Sequence, residues 1–427
     1  MKIAILGFGR EGQSAYHYWD KAENQITIHD NNSNVQLPAD AESVLGDGAF
    51  EALDSYGYDL MVRTPGLRLD FAKIKTPITT VTNEFLIKCP APVIGVTGTK
   101  GKGTTATLIY EILSRAGYQS HLLGNIGMPA LDELSNINAQ DVVVYEMSSF
   151  QLFDVTTSPH VAVCLMVTED HLDWHKDLEE YYSAKANIFK FQKPQDIAVF
   201  FADDPVSSRL SLNSGANTKY SYGTDTDVTF NDENITAFGQ EVIKVSEVGL
   251  PGPHNLQNIC AAICAVWSYT TDINVIAESI KSFKGLPYHI EFIADKNDVK
   301  FYNDSFSTNP TSAIAAIKSF DAPLVAFFGG YDKNADFAEL AQALKNRKIR
   351  KVITYGQTGQ KIYDTFTQIG LKDVEYSVEN FEKIIKTGVE FSRPGDVVLF
   401  SPACASMDMF TDYKARGQQF NNIIKAL

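Results

Sequence analysis

The stretch VIGVTGTKGKGTT, residues 93–105, decides the fold of the chain's centre. It begins as an apolar run typical of a buried strand, passes into a glycine-rich loop and ends in threonines that open a helical pattern. In such a loop, glycines let backbone amides wrap phosphates, a lysine neutralises β/γ-phosphate charge and a hydroxyl reaches Mg²⁺. The stretch therefore predicts a P-loop. The alternative is a glycine-rich turn without a ligand.

This loop departs from the strict GxxxxGK[ST] pattern at two positions. Val96 stands where the first glycine belongs, and Gly103 stands where the hydroxyl belongs. We therefore expect Thr104 or Thr105 to contact the metal, and we predict Thr104. An apolar strand further along ends in Glu146, and a carboxylate delivered beside a P-loop commonly becomes a Mg²⁺ ligand.

Short apolar runs alternate with helical patterns on both sides of this centre. The runs are rich in Val, Ile and Phe and lack strict alternation, as expected of parallel strands covered on both faces. The fold class is therefore predicted to be α/β with parallel sheets. The predicted strands are Lys2–Leu6, Tyr58–Val62, Val93–Thr97, Val142–Glu146, Val161–Met166, Leu324–Phe328 and Val397–Phe400.

Two segments are expected to join domains. Cys89-Pro90-Ala91-Pro92 precedes the P-loop strand, and Lys284-Gly285-Leu286-Pro287 follows a helical pattern. Proline and glycine commonly break helices or form linkers at such points. We predict three domains: a Rossmann-like domain at 1–92, a P-loop-type ATPase domain at 93–286 and a Rossmann-like domain at 287–427.

The N-terminal segment carries a second glycine motif, GFGREG at residues 7–12, between a strand and a helical pattern. Asp30 ends the next predicted strand, near the distance at which a dinucleotide fold places its ribose-binding acid. Such a turn brings backbone N–H groups up to a phosphate. The motif alone leaves three interpretations open: a nicotinamide dinucleotide, a UDP-linked ligand or a tight turn.

Composition narrows the class of protein. The 427 residues carry a formal net charge of -15, which argues against binding to nucleic acid or an anionic membrane. Five cysteines lack zinc-site spacing and indicate a reducing compartment; Cys260 and Cys264 suggest packing in a helical core. Because MKIAILGFG resembles a strand that runs into a glycine turn, we expect no signal peptide there, and no apolar run reaches the roughly 20 residues that span a membrane. We expect a cytoplasmic protein.

Further short motifs follow these two in a fixed order along the chain, from near residue 1 to near residue 420. Together they resemble the signatures of the Mur ligases, and this order and spacing are very unlikely by chance. They are GNIG (124–127), EMSSFQL (146–152), VTEDHLD (167–173), YSAK (182–185), HNLQN (254–258), NDS (303–305), TN (308–309), GGYDK (329–333) and SPACAS (401–406).

The resemblance implies an ATP-dependent ligase that acts in peptidoglycan precursor synthesis. ATP would phosphorylate the free carboxylate of a UDP-linked acceptor, and the amine of an amino acid would attack the acyl phosphate. SPACASMD, residues 401–408, followed by Arg416-Gly417, resembles the branch that adds D-glutamate to UDP-N-acetylmuramoyl-L-alanine. The alternatives are L-glutamate on the same acceptor, a folylpolyglutamate-synthase-like glutamate ligase, and a non-catalytic UDP-sugar sensor.

The resemblance also implies site residues, which fall into four groups. The ATP group is Gly98, Thr99, Lys100, Gly101, Lys102, Gly103, Thr104, Thr105, Asn258, His289 and Asp304. The group for two Mg²⁺ ions is Thr104, Glu146, His171 and Lys185. The UDP-substrate group is Gly7, Gly9, Arg10, Glu11, Asp30, Thr64, Pro65, Gly66 and Asn125. The glutamate group is Thr308, Lys333, Ser406 and Tyr413.

Lys102, His171 and Lys185 are the implied catalytic residues. By resemblance, Lys185 is carbamylated, which turns an amine into a carboxylate and requires a lysine whose pKa is lowered. From the residues alone, the ordinary interpretation of Lys185 is a solvated helix face, and that of an isolated histidine is a core position; within VTEDHLD, the functional interpretation of His171 is favoured. The expected partners are the small-molecule substrates only, and the expected state is a monomer.

The chain departs from the family pattern at two positions. His289 stands where the family commonly has arginine, in a pattern like Gly-Leu-Pro-His-Arg. Phe306 stands where Asp-Ser-Lys is often found. Neither residue supplies the permanent cation that it replaces.

Overall fold

Three β-sheets organise the part of the chain that the computed structural model describes, residues 1–69, 73–125, 128–250, 252–332 and 335–427. The strands of the first sheet are β1 (Lys2–Leu6), β2 (Gln25–Asp30), β3 (Glu42–Leu45), β4 (Leu60–Arg63) and β5 (Ile78–Thr80). Their spatial order is β3-β2-β1-β4-β5, and all neighbours are parallel.

The second sheet contains the P-loop strand. Its strands are β6 (Val93–Thr97), β7 (Ser120–Gly124), β8 (Val142–Glu146), β9 (Val161–Cys164), β10 (Ile197–Phe201), β11 (Thr218–Tyr222), β12 (Val228–Phe230), β13 (Asn234–Ala237) and β14 (Gln240–Lys244). Their order is β14-β13-β12-β11-β10-β9-β6-β8-β7. The strands from β6 to β12 are parallel, and β13 and β14 extend one edge in antiparallel fashion.

The third sheet has six strands, β15 (Glu291–Lys296), β16 (Val299–Asn303), β17 (Leu324–Gly329), β18 (Ile349–Tyr355), β19 (Val374–Tyr376) and β20 (Val397–Phe400). Their order is β15-β16-β20-β17-β18-β19. Only the β15–β16 pair at its edge is antiparallel. A mainly parallel sheet needs crossover connections, and helices supply them here.

The α-helices are α1 (Arg10–Trp19), α2 (Val81–Lys88), α3 (Lys102–Arg115), α4 (Ala130–Glu133), α5 (Ser149–Leu152), α6 (Leu178–Lys190), α7 (Pro205–Ser211), α8 (Pro253–Val266), α9 (Ile273–Ser282), α10 (Pro310–Lys318), α11 (Ala338–Lys345), α12 (Gly359–Gln368), α13 (Phe381–Glu390) and α14 (Tyr413–Ala426). Their starts follow local chemistry. For example, the Asp177 carboxylate accepts from the Glu180 N–H at the start of α6.

The predicted α/β class is confirmed, and four strands match their predicted bounds: Lys2–Leu6, Val93–Thr97, Val142–Glu146 and Val397–Phe400. All five residues of both β6 and β8 are buried, which explains their unbroken apolar pattern. The strand predicted to reach Met166 ends instead at Cys164. The chain leaves the sheet there but stays beside the P-loop, because Met166 O accepts from the Thr99 N–H.

The described chain forms two compact units. The first comprises Met1–Val248 and Pro253–Ser282, and therefore holds the first two sheets; the second comprises the segment 249–252 and Phe283–Leu427. Within the first unit, buried side chains of both sheets share one hydrophobic core. The predicted boundary at residue 92 stays a prediction.

Arg63 connects the two sheets of the first unit. Its side chain is fully buried at the end of β4, and it forms a bidentate pair with Asp154 at 2.7 and 2.8 Å. The same guanidinium donates to Phe150 O and to carbonyls of the loop that follows β4. A bidentate buried arginine fixes geometry as well as charge, so this loop has a defined position.

All five cysteines are free thiols, as expected, and Cys260 and Cys264 are buried in α8. In the described ranges, no helix combines the length and apolar character that crossing a bilayer requires.

Candidate active site

The loop between β6 and α3 has the backbone that a P-loop requires. Gly98 and Gly101 have φ angles of 147° and 83°, in the region that side chains rarely adopt. A Cβ on Gly98 would lie 2.6 Å from the Leu165 Cβ, and a Cβ on Gly101 would overlap the Asn258 amide. Asn258, a predicted nucleotide residue, therefore packs directly on the loop, and α3 begins at Lys102 immediately after it.

Two lysine side chains meet at this loop. Lys102 Nζ donates to Gly98 O at 3.1 Å and to Thr99 O at 2.9 Å. Lys185, on α6, donates to the same Gly98 carbonyl at 2.8 Å and lies 4.7 Å from the centre of the Tyr181 ring. Only 1% of Lys185 is exposed, so the solvated-face interpretation is wrong.

The environment shifts the pKa values of both lysines downward. Burial, and after it the charge of Lys102, lower the pKa of Lys185 to about 7. Burial also lowers the pKa of Lys102, while Glu146 and Asp170 act against that shift. Near neutral pH a substantial fraction of Lys185 is therefore the neutral amine, and this is the form that carbamylation requires.

Glu146 lies next to the P-loop strand because β8 pairs with β6. Val96 is its register partner, and the Met147 N–H donates to Val96 O. The buried carboxylate accepts from Asn125 Nδ2 at 3.2 Å, and the Asn125 N–H donates to Glu146 O. The structure thus joins a predicted metal residue to a predicted UDP-substrate residue.

The P-loop threonines differ in their surroundings. Thr99 Oγ1 accepts from the Thr168 N–H and donates to Thr168 O, which holds the motif at 167–173 against the loop. Thr105 is buried on α3, and its Oγ1 has no hydrogen-bond partner among the described residues. Thr104, the predicted metal contact, is half-buried one position earlier.

Magnesium fits this donor set. Mg²⁺ prefers oxygen ligands and is usually held by one or two carboxylates together with phosphate oxygens and water, rather than by an all-protein cage. Glu146, at the end of the strand that pairs with the P-loop strand, supplies such a carboxylate. In the described ranges, no group of three or more His, Cys, Asp or Glu side chains is placed to hold a metal ion by itself.

His171 is half-exposed, so the core-histidine interpretation is wrong. Its ring packs on Phe150 with centroids 4.7 Å apart, and its Nε2 lies 3.7 Å from the Asp170 carboxylate. The backbone φ of 53° is unusual for a residue other than glycine. Sequence reasoning assigned no role to Asp170, although its charge acts on both lysines and it belongs to the quoted motif at 167–173.

The glycine turn at residues 7–12 is held by the neighbouring strands. Asp30 Oδ2 accepts from the Phe8 N–H at 2.6 Å, so this carboxylate caps the turn itself. Thr64 Oγ1 donates to Leu6 O, and a Cβ on Gly7 would overlap this hydroxyl. A Cβ on Gly12 would overlap Gly7 O. Position 12 therefore requires glycine, because α1 approaches the turn closely there.

The remaining UDP-substrate residues surround this turn. Gly9 caps α1 with an extended backbone, and Arg10 opens the helix. Pro65 O accepts from Arg63 Nη1, and Gly66 O accepts from Trp174 Nε1. The structure therefore places the predicted loops at the carboxyl ends of β1 and β4, the edge at which open parallel sheets bind ligands.

Glu11, on α1, is half-buried, and its carboxylate contacts Gln151 of α5. Its Oε1 accepts from Gln151 Nε2 at 2.6 Å, and its buried Oε2 has no hydrogen-bond partner among the described residues. Burial raises the pKa of Glu11 to about 7 against the opposing effects of Gln151, Arg63 and Arg10. A capping box with Ser148 orients Gln151 toward Glu11.

Glu11→Gln is expected to flatten the dependence of stability on pH. The folded-state pKa lies above the ordinary 4.5, so the folded chain binds this proton more tightly, and the unfolding free energy falls as pH rises from 4.5 to about 7. Urea unfolding at pH 5 and at pH 7.5 measures how much unfolding free energy is lost between these two pH values. This loss should be about 1–3 kcal/mol smaller in the variant than in the wild type. Exposed Glu23→Gln is the matched control. Parallel curves for Glu11→Gln and wild type would contradict the prediction.

In the second unit, several predicted residues follow the carboxyl ends of adjacent strands β16 and β20. Asp304 is buried after β16 and accepts from Ser401 Oγ at 2.6 Å and from the Ile290 N–H at 3.2 Å. Burial raises its pKa to about 7, although its hydrogen bonds and Arg416 act against that shift. Ser406 is buried, Thr308 is half-buried just before α10, and Lys333 lies outside the described residues.

The two departures from the family pattern lie together in this unit. The rings of His289 and Phe306 stack with centroids 3.7 Å apart and planes 24° apart. Tyr413 packs at right angles to Phe306 at 5.2 Å. Burial lowers the pKa of His289 to about 4, so the pair is uncharged at neutral pH.

Comparison with known proteins agrees with these motifs. Residues 96–266 match the Mur ligase middle domain, and residues 290–404 match the Mur ligase, glutamate ligase domain. The chain is 34% identical to UDP-N-acetylmuramoylalanine–D-glutamate ligase of Clostridium botulinum strain Okra, over 100% of this chain and 97% of that protein.

Solved structures share the fold at lower identity. UDP-N-acetylmuramate-alanine ligase MurC from Thermotoga maritima superposes with a TM-score of 0.61 and 18% identity, covering 100% of this chain and 99% of that one. MurF ligase from Thermotoga maritima, in complex with ADP, superposes with a TM-score of 0.58 and 22% identity, covering 89% of this chain and 92% of that one. The chain belongs to the Mur ligase family.

Proposed function

We propose that this chain is an ATP-dependent ligase that adds D-glutamate to UDP-N-acetylmuramoyl-L-alanine in peptidoglycan precursor synthesis. The observation that carries the proposal is the full-length similarity, at 34% identity, to ligases named for that reaction. The P-loop, its two lysines and the adjacent Glu146 supply the groups that a phosphoryl-transfer step needs.

The chemistry explains the need for ATP. A carboxylate is a poor electrophile, because its leaving group would be oxide; phosphorylation replaces oxide with phosphate. The γ-phosphoryl group passes from ATP to the acceptor carboxylate, and ADP is the leaving group. The neutral amine of glutamate then attacks the acyl phosphate, phosphate leaves, and the nitrogen loses a proton to give the amide. The protein mainly positions the reactants and neutralises charge. Lys102 is proposed to contact the β/γ-phosphates, and its position at the first residue of α3 supports this role.

Two Mg²⁺ ions belong to the proposal. Thr104 and Glu146 would hold one, and His171 with a carbamylated Lys185 would hold the second. When bound, the ions neutralise phosphate charge. Lys185 supports carbamylation in two ways: it is buried against Gly98 O, and its lowered pKa leaves neutral amine near pH 7. Asp170, whose charge acts on both lysines, is proposed to balance their charge.

The substrates are assigned by group. We propose that UDP binds at the glycine turn and the Thr64–Gly66 loop of a Rossmann-like domain, 1–92, with Asn125 contacting the acceptor. The nucleotide binds a P-loop ATPase domain, 93–286, and His289 and Asp304 are also among its predicted contacts. Glutamate binds a Rossmann-like domain, 287–427, through Thr308, Lys333, Ser406 and Tyr413. Three sheets with ligand residues at strand ends support this division.

The decisive experiment supplies ATP, Mg²⁺ and UDP-N-acetylmuramoyl-L-alanine with D-glutamate, L-glutamate or neither. Phosphate release and a product of the amide's mass are expected with D-glutamate only. Product with L-glutamate alone would transfer the assignment to that amino acid. A protein inactive with both but active on a folate acceptor would contradict the proposal. UDP-N-acetylmuramate without alanine serves as the acceptor control.

A further inference from the structure

The loop after β16 holds one exposed aromatic ring among buried polar residues. Asp304, Ser305 and Ser307 are at most 4% exposed, whereas Phe306 between them is 45% exposed. Large apolar side chains exposed singly are common on proteins. This one, however, lies at the carboxyl end of a parallel strand, next to residues already assigned to ligands.

Buried hydrogen bonds fix the backbone that carries this ring. Arg416, itself 1% exposed, donates through Nε to Ser305 Oγ at 3.1 Å and through Nη2 to Ser305 O at 2.9 Å. Ser305 Oγ donates in turn to Tyr413 O at 2.8 Å. The Phe306 N–H donates to Tyr288 O at 3.0 Å. A half-exposed ring on so constrained a loop is preorganised, so a ligand would order little on binding it.

The neighbouring rings pack against Phe306 and bring no charge to the surface around it. His289 stacks on it at 3.7 Å, and Tyr413 packs at right angles. His289 is the neutral imidazole near pH 7, because burial lowers its pKa to about 4. An aliphatic dicarboxylate gains no ionic contact from such a surface. A planar aromatic group does gain, because stacking needs only a π-face.

We propose that Phe306, backed by His289 and edged by Tyr413, is a stacking platform for a nucleobase. The inference deepens the proposed function and rests on it, since ATP and a UDP-linked acceptor are its nucleobase-bearing substrates. Adenine is the expected occupant, because its larger face stacks over more area than uracil. The chain thus presents an uncharged aromatic surface at the two positions where the family pattern described above implies cations.

The test is Phe306→Ala, measured by calorimetric titration in the absence of glutamate. ATP binding should weaken roughly tenfold or more, as expected for loss of a stacked base. Inorganic tripolyphosphate, which lacks a base, should bind the variant and the wild type equally. Phe306→Trp should restore ATP binding. The matched control is Phe391→Ala, because Phe391 is 41% exposed in the same unit and touches none of these rings. Thermal midpoints check folding.

The remaining outcomes decide the inference. Loss of UDP-acceptor binding instead of ATP binding supports a nucleobase platform occupied by uracil. Unchanged binding of both nucleotides by Phe306→Ala overturns the platform. An equal loss of ATP binding and tripolyphosphate binding also overturns the platform. An effect limited to the KM for glutamate overturns it as well. If the wild type forms the D-glutamate product while Phe306→Ala binds nucleotides normally, only the platform fails. A wild type that binds neither nucleotide overturns both proposals.

Discussion

Lys102→Met is expected to lower turnover by about 100- to 1,000-fold, the cost of removing one positioned group that stabilises transition-state charge. Lys102 opens α3, and its ammonium is held by the Gly98 and Thr99 carbonyls at 3.1 and 2.9 Å. Methionine keeps the length and apolar stem but not the charge. Product formation with D-glutamate at saturating ATP measures the effect.

The comparison for Lys102→Met is Lys100→Met in the same loop. Lys100 is exposed, so its charge is screened by water, and its loss should cost less than about tenfold. The thermal midpoint of Lys102→Met should stay constant or rise, because burial disfavours that cation in the folded state. Equal losses of turnover at both positions would show that the loop needs only net charge and would contradict the assignment.

Lys185→Met is expected to lower turnover by at least about 100-fold, because it removes a metal-holding group. The reaction that forms the carbamate joins the neutral amine to CO₂ and releases a proton. Its extent should therefore depend on dissolved CO₂ and should fall as pH drops below about 7, where the amine of Lys185 is protonated. Turnover of the wild type should decline in CO₂-depleted buffer and recover with bicarbonate.

A direct observation can separate carbamylation from a purely structural role of Lys185. With ¹³C-bicarbonate, the wild type should show a carbamate resonance in its carbon NMR spectrum that Lys185→Met lacks. Lys190→Met is the matched control on the same helix, since Lys190 is exposed and should leave both resonance and turnover intact. A fully active Lys185→Met, or a wild type with no such resonance, would contradict the proposal.

Local sequence predicted a large part of the fold. Strands such as β6 and β8 are buried along their whole length, so their apolar runs mark them without reference to partners. Glycines with positive φ and helix caps also follow from short-range sterics and hydrogen bonding, which is why the P-loop was recognisable despite Val96 and Gly103. Strand ends were less certain, because pairing decides them, as at Cys164.

For the candidate site too, the sequence identified some features and only the structure gave the others. Motifs in the sequence identified Lys102, Glu146, His171 and Lys185, but they could not give the environment of any of them. Asp30 was predicted as a UDP-substrate residue from its spacing alone, and only the structure shows that its Oδ2 accepts from the Phe8 N–H. Asp170 received no role, although it acts electrostatically on both lysines, because charge interactions depend on distances that a sequence does not contain.

The sequence by itself determined the α/β class, the strand–loop–helix unit around residues 93–105 and the family, because these depend on local pattern and on motif order. Only the tertiary structure decided that Lys185 reaches Gly98 O across 87 positions, and that His289 stacks on Phe306. The physical reason is that burial, pKa and ring stacking arise from groups that chain folding alone brings together.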